Sequence, residues 1–439
     1  TMGGEPTFVS VDDRDGAEWN TDALGPTKRI YAQDLVQRLR DQYGAGGFLH
    51  YGQGKWYPGE QLPRWALSIF WREDGQPCWH DPSLFADERD PHDYTSEDAK
   101  RFITRLTRKL GLPDGSLQAG HEDTWYYLWR ERRLPVNVDP FDSRLDDELE
   151  RSRLRRIFKQ GLEAEVGYVL PLKREHGGAG AQGLAGSRWV TGPWFFRDER
   201  MYLFPGDSPM GYRLPLDSLP WVAEGDYPFL IEHDPFAPRG SLPTGQRLRA
   251  QYASHAAGGG FAEGGMVAVQ SGPQAGEYLF GAPGSGEAAV GGVVAGQAAG
   301  LSGPTGPGAT ARPLRALTAA ELAVSPQRFQ SAYWITRTAL CVEVRDPRRA
   351  NGPKAEKVGV ESGVMYVFMP PLSHLEDYLD LLAAVEATAA ELGVKVVLEG
   401  YPPPRDPRLK VLSVTPDPGV IEVNIHPAHD WPELVEHTE

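Results

Sequence analysis

Glu422, Asn424 and His426 occupy alternate positions of the run Val420-Ile421-Glu422-Val423-Asn424-Ile425-His426. Strand side chains alternate between faces, so these three project together, away from Ile421, Val423 and Ile425. The β-branched residues supply the bulk of a buried strand. A carboxylate and an amide oxygen two residues apart suit a hard cation such as Mg²⁺. Glu343 lies in a second strand-like run, Thr338 to Arg345, bracketed by Arg337 and Arg345. Glu399 ends a third, Val394 to Glu399, and Arg405, Arg408 and Lys410 follow it through a Pro-rich loop. Alone, each glutamate reads equally as a salt-bridged strand end. Three on one sheet repel one another unless cations neutralise them, which implies a metal site with phosphate.

Elements that position these groups are legible nearby. Leu375 to Leu392 repeats apolar residues at helical spacing and stops at Gly393, a helix-ending residue. Val364 to Met369 is expected as the hairpin partner of a strand over Tyr333 to Val344. Strand, strand, helix, strand, strand is an α+β layout, with an antiparallel sheet and a packed helix.

Upstream, strands are expected at Thr7 to Val11, Phe48 to Tyr51, Trp65 to Trp71, Trp189 to Phe196 and Arg200 to Phe204. Helices are expected at Pro26 to Tyr43, Ser96 to Leu110 and Asp146 to Glu165. The Gly-spaced run His50 to Glu60 carries Lys55 among aromatics. It lacks full phosphate-loop spacing, so a turn between strands and a Lys55 contact to phosphate or carboxylate both stay open. Trp125 to Trp129 reads as core or as a stacking platform for a ligand. Residues 254–313 are Gly, Ala, Pro and Ser without periodicity, a flexible linker. The expected division is an aromatic-rich α+β domain over 1–250, a linker over 251–325 and a ligand-bearing domain over 326–439.

Composition narrows the function classes. A formal charge of −15 over 439 residues argues against nonspecific nucleic-acid binding. No stretch reaches the roughly 20 apolar residues of a membrane span, and two cysteines form no disulfide framework, so a reduced cytoplasmic protein is expected. Cys78 and His80 are too close in sequence for the usual nucleophile pair, and His426 with His429 is too irregular for helix-borne zinc. Thr1 is no initiator and Pro432 to Glu439 stops where a helix begins, so the reading expects an excerpt cut at both ends.

The runs Met2 to Val9, His50 to Trp65, Pro205 to Gly211 and Asp417 to Asn424 resemble those of the amidoligase domains found with bacterial transglutaminase-like proteins. The likeness covers nearly the whole chain outside the linker. It implies a glutamine-synthetase-like carboxylate–amine ligase using ATP and Mg²⁺. In that superfamily strand glutamates hold divalent cations bridging ATP phosphates, and arginines bind phosphate and substrate carboxylate. Carried over, Glu343, Glu422 and Asn424 become metal ligands with Glu399 beside them. Arg337, Arg345 and Lys410 become catalytic partners, and Lys55 and Arg408 contact nucleotide. Small-molecule or peptide carboxylates and amines are the expected substrates, and a transglutaminase-like domain of the parent protein the expected partner. A histidine-bearing Gly-rich segment of the family is expected past Glu439. The rival reading, resting on 12 tryptophans, is a noncatalytic peptide- or glycan-binding module.

Overall fold

The computed structural model describes residues 6–58, 60, 63–122, 163–176, 187–196, 200–205, 212–227, 234, 238–253, 323–348, 360–425, 428 and 430–438. Fourteen strands lie among these. The first half contributes β1 (Thr7–Phe8), β2 (Phe48–Gln53), β3 (Trp65–Arg72), β4 (Gln118–Glu122) and β5 (Glu165–Pro171). Then come β6 (Lys173–Glu175), β7 (Arg188–Val190), β8 (Met201–Pro205) and β9 (Tyr212–Arg213). The second half supplies β10 (Ala339–Arg345), β11 (Val364–Met369), β12 (Val396–Gly400), β13 (Leu409–Asp417) and β14 (Val420–Asn424). The helices are α1 (Lys28–Tyr43), α2 (Ser96–Lys109), α3 (Gly245–Ala253), α4 (Leu375–Leu392) and α5 (Trp431–Thr438).

Twelve of the strands form one sheet in the order β1-β14-β13-β3-β2-β12-β11-β10-β5-β4-β8-β9, and β6 pairs with β7 apart from it. Strands from residues 1–250 therefore alternate with strands from residues 326–439. β3 hydrogen-bonds to β13 and β2 to β12. The linker expected at 251–325 lies outside the described residues except for its two ends.

The expected antiparallel C-terminal sheet needs correction. β10 and β11 are antiparallel, as the hairpin reading requires, but β11 and β12 run parallel, as do β12 and β2. The reason is α4: a helix inserted between two neighbouring strands carries the chain back to the starting edge, so the second strand enters in the same direction. The sheet is mixed and the class is mixed α/β.

α4 is buried on almost every side, from Leu375 through Ala389, as a helix apolar all round must be. Its Leu381, Leu382, Ala384 and Val385 are fully buried against Phe102 and Ile103 of α2 and Val367 and Met369 of β11. Each such leucine contributes about 1.5–3 kcal/mol through burial. Gly393 ends the helix at φ +65°, a left-handed conformation that a side chain disfavours. α1 packs with Leu49, Leu67, Val414 and Val423 on the opposite face. Its first turn is capped from outside: the Glu18 carboxylate accepts from the backbone N–H groups of Thr27 and Lys28 and from the Thr27 hydroxyl. The capping fixes where Arg29 enters the sheet face.

Candidate active site

Register decides which sequence-selected residues meet. Glu343 stands opposite Tyr366, Phe368 opposite Glu399 and Glu399 opposite Tyr51, so all share the α1 face. Following the ladder onward, Tyr51 faces Leu67, Leu67 faces Val414 and Val414 faces Val423. Glu422 and Asn424, one residue out of phase, point to the other face. β14 and β10 are also six ladder steps apart, about 29 Å along the sheet at roughly 4.8 Å per strand. The four expected metal ligands thus divide into a buried central pair, Glu343 and Glu399, and an edge pair, Glu422 and Asn424.

In the central group the Arg345 guanidinium bonds both carboxylates. It donates to Glu343 and to both oxygens of Glu399, the Nη1 contact to Glu399 Oε1 being 2.8 Å. It also lies 3.6 Å above the Tyr366 ring centroid. The Tyr366 hydroxyl donates to Glu88 Oε1 at 2.8 Å, and Arg29 donates to Glu88 Oε2 from Nη2 at 2.7 Å and Nε at 3.0 Å. Arg29 in turn stacks over Tyr51 and Trp65. Arg29, Tyr51, Gly52, Arg345, Tyr366 and Glu399 line a cavity of about 10 Å³, room for one water-sized species.

The electrostatics follow from burial. Glu399 is 1% exposed; desolvation, with the neighbouring Glu343 and Glu88 charges, pushes its carboxyl up to about 7 against the pull of Arg345. Burial also raises the Tyr366 phenol. Glu343, Glu399 and the largely covered Glu88 side chain face two guanidiniums, and Glu122 is a further buried acid on β4, opposite Leu203 of β8. Leu203 packs with Val169, whose partner Cys341 shares the face of Glu343. Gly400 ends the Glu399 strand at φ +93°, where an added Cβ would come within 2.7 Å of the Met369 carbonyl. Only glycine lets the backbone turn away there while Glu399 stays pointed inward.

The edge group is more open. Lys55 Nζ lies 3.7 Å from Glu422 Oε2, and Asn424 donates its amide to the Thr415 hydroxyl at 3.2 Å. Ile421 and Val423 are buried on the opposite face, as the alternation predicts. Asn424 ends a polar row that crosses to Ser413, Ser68 and His50, with the two serine hydroxyls 2.7 Å apart. Burial holds the His50 imidazole down at about 4, hence neutral.

The remaining selections scatter. Arg408 pairs with Asp406 and Glu376 beside α4. Lys410 reaches Glu433 of α5 at 3.5 Å. Arg337 donates to the carbonyls of Pro220 and Leu216. These three join neither acidic group. Cys78 is buried, its thiol pushed up to about 12, and burial also raises Cys341, so neither is an activated nucleophile. His426 and His429 lie outside the described residues, as does Trp125.

Arg29, Glu88, Tyr366 and Glu122 escaped the sequence reading. They sit in or beside runs read only as core, helix or loop, and the strand pairing that joins them spans hundreds of residues.

The family described as "Putative amidoligase enzyme (DUF2126)" matches residues 1–439. The chain belongs to that family. Comparison with curated proteins and with solved structures returned no significant match. The amidoligase assignment covers the central and the edge groups alike, since it takes in every described residue. Among the described residues no helix is long and apolar enough to cross a membrane.

Proposed function

We propose that this amidoligase-family chain carries an ATP- and Mg²⁺-dependent carboxylate–amine ligase whose metal-binding centre is the central group. The observation that carries the reading is the convergence of Glu343 and Glu399 on one cationic atom, Arg345 Nη1. Two carboxylates that meet at a single positive nitrogen form the all-oxygen donor set a hard cation prefers, and the adjoining cavity suits an ion rather than a nucleotide. Bound Mg²⁺ would neutralise negative charge on transferring phosphate.

The rest follows from this chain's own groups. A carboxylate is too poor an electrophile to take an amine, so ATP first converts it to an acyl phosphate, and the amine then displaces phosphate to leave an amide. Glu343 and Glu399 would hold the cation, and Arg345, which now bonds both, would supply positive charge to the phosphoryl oxygens. Tyr366 and Arg29 hold Glu88. Gly52 lines the cavity with its backbone alone, since a Cβ there would point to His50 on the other face. The edge group, with Lys55 beside Glu422, is the second place for a carboxylate- or phosphate-bearing partner.

Calorimetric titration with ATP, with and without Mg²⁺, tests the assignment on the unmodified chain, Glu399→Gln and Glu422→Gln. Metal-dependent binding abolished in Glu399→Gln and kept in Glu422→Gln is expected. Loss only in Glu422→Gln moves the site to the sheet edge, and no binding by a folded sample refutes the ligase reading.

A specific feature favours the second reading, a peptide- or glycan-binding module. A cavity of about 290 Å³ is lined by Phe195, Phe196, Trp221, Arg328 and Phe329, and Trp221 and Phe329 are 60% and 80% exposed. Such aromatic surfaces stack on sugars or apolar side chains. Retained oligosaccharide or peptide binding without any nucleotide response would favour it.

A further inference from the structure

Outside both groups, His176, His374 and Asp377 come together where the β6–β7 hairpin meets the start of α4. His176 follows β6, His374 precedes α4 and Asp377 lies in its first turn. His176 Nε2 is 3.0 Å and His374 Nδ1 3.7 Å from Asp377 Oδ2. One ligand atom from each residue lies within 4.8 Å of the others. Bonds of 2.0–2.1 Å to a tetrahedral zinc put neighbouring ligand atoms about 3.3 Å apart. The two His–Asp377 separations bracket that spacing, and the third lies within 4.8 Å.

Three observations speak against a plain ion pair. Asp377 is 2% exposed, yet its Oδ1 is buried without a hydrogen-bond partner. The nearest cation, Arg174, stands 3.6 Å off and is committed elsewhere, donating to Asp380 Oδ2 at 2.7 Å and twice to Ser187 Oγ. His374 occupies the N-cap of α4 without making a side-chain capping bond, at a position where Ser, Thr, Asp or Asn is the favoured residue. The imidazole centroids are 4.7 Å apart, so two imidazoliums there would repel each other and Arg174. One metal ion held by two neutral imidazoles removes that repulsion. Asp377 and Glu376 in the first turn offset the positive helix end.

We propose that His176, His374 and Asp377 bind one divalent transition-metal ion of the zinc class, with a remaining coordination position open to water, so that the ion ties the β6–β7 hairpin to α4. Two imidazoles and a carboxylate are a donor set for zinc or ferrous iron rather than for Mg²⁺. The site is independent of the Mg²⁺ proposed at Glu343 and Glu399.

The test is titration of chelator-treated full chain with Zn²⁺, followed by metal analysis after gel filtration and by the visible spectrum of the Co²⁺ form. One ion per chain and an intense four- or five-coordinate Co²⁺ spectrum are expected. His176→Gln and His374→Gln should each weaken Zn²⁺ affinity by at least about 100-fold, beyond what loss of a supporting outer partner does. Asp377→Asn alters a buried group, so the judgement rests on His176→Gln, whose side chain is 37% exposed, with helicity checked by circular dichroism. Undiminished affinity in both folded histidine variants, or no stoichiometric Zn²⁺ on the unmodified chain, overturns the proposal.

Discussion

Arg345 with Glu399 and Lys55 with Glu422 are both cation–carboxylate pairs borne by one sheet, but they lie on opposite faces and in opposite surroundings. At the centre, side chains of Arg345 and Glu399 are 5% and 1% exposed; at the edge, Lys55 and Glu422 are 56% and 12% exposed. In the interior, removing water costs each ion heavily, and the attraction only offsets that cost while both partners stay. Near solvent the same pair is screened and contributes little. A buried acid cluster held by two arginines therefore depends on every partner staying in place, whereas the edge pair can part at little expense.

The sharpest way to break this contrast is Arg345→Met, which leaves Glu343 and Glu399 buried without their shared cation. It should cost about 3–5 kcal/mol in urea unfolding. A loss under 1 kcal/mol would mean that the central group is far wetter than its burial indicates. Next in size is a pH effect. Glu399 titrates near 7 in the folded chain against about 4.3 when unfolded. The folded state thus holds the extra proton between those values. This group's contribution to stability is fully present below about pH 4, and it is lost as pH rises through 7, by roughly 4 kcal/mol at most. Comparing urea midpoints at pH 5 and 8 should show Glu399→Gln flattening that slope.

Tyr366→Phe removes the hydroxyl donated to Glu88 and should cost about 1.5–3 kcal/mol, the range for bonds to charged groups. Lys55→Met should change stability by less than about 1 kcal/mol. A loss as large as that of Arg345→Met would erase the distinction between edge and centre.

Local pattern made much of the sheet readable. α4 runs as its spacing predicts and stops at Gly393, and the alternation in β14 correctly puts Glu422 and Asn424 opposite the buried Ile421 and Val423. α1, α2, β2 and β3 fall within two residues of expectation at each end, because a cap, a glycine or an aromatic run marks them. β13 was missed: Lys410, Ser413 and Asp417 give Leu409–Asp417 a polar rhythm, and the Pro-rich approach reads as loop. Strand order was also beyond reach. Periodicity reports which face a residue occupies but not which strand lies beside it, so Glu343 and Glu399 group with Glu422 in the sequence although three strands separate β14 from β12 and five separate it from β10. Arg345 was selected as a phosphate partner; that it bridges the two glutamates depends on the β10–β11–β12 ladder, a long-range fact.

The interleaved sheet also governs the order in which the molecule can be made. β2 and β3 must wait for β12 and β13, more than 300 residues later, before either has both its neighbours. During vectorial synthesis the early hairpin emerges with two unpaired edges, a template for misassociation. Contacts of such sequence separation slow the search for the native topology. Productive assembly is thus a late event, with the acidic centre completed only when Glu399 arrives beside Tyr51.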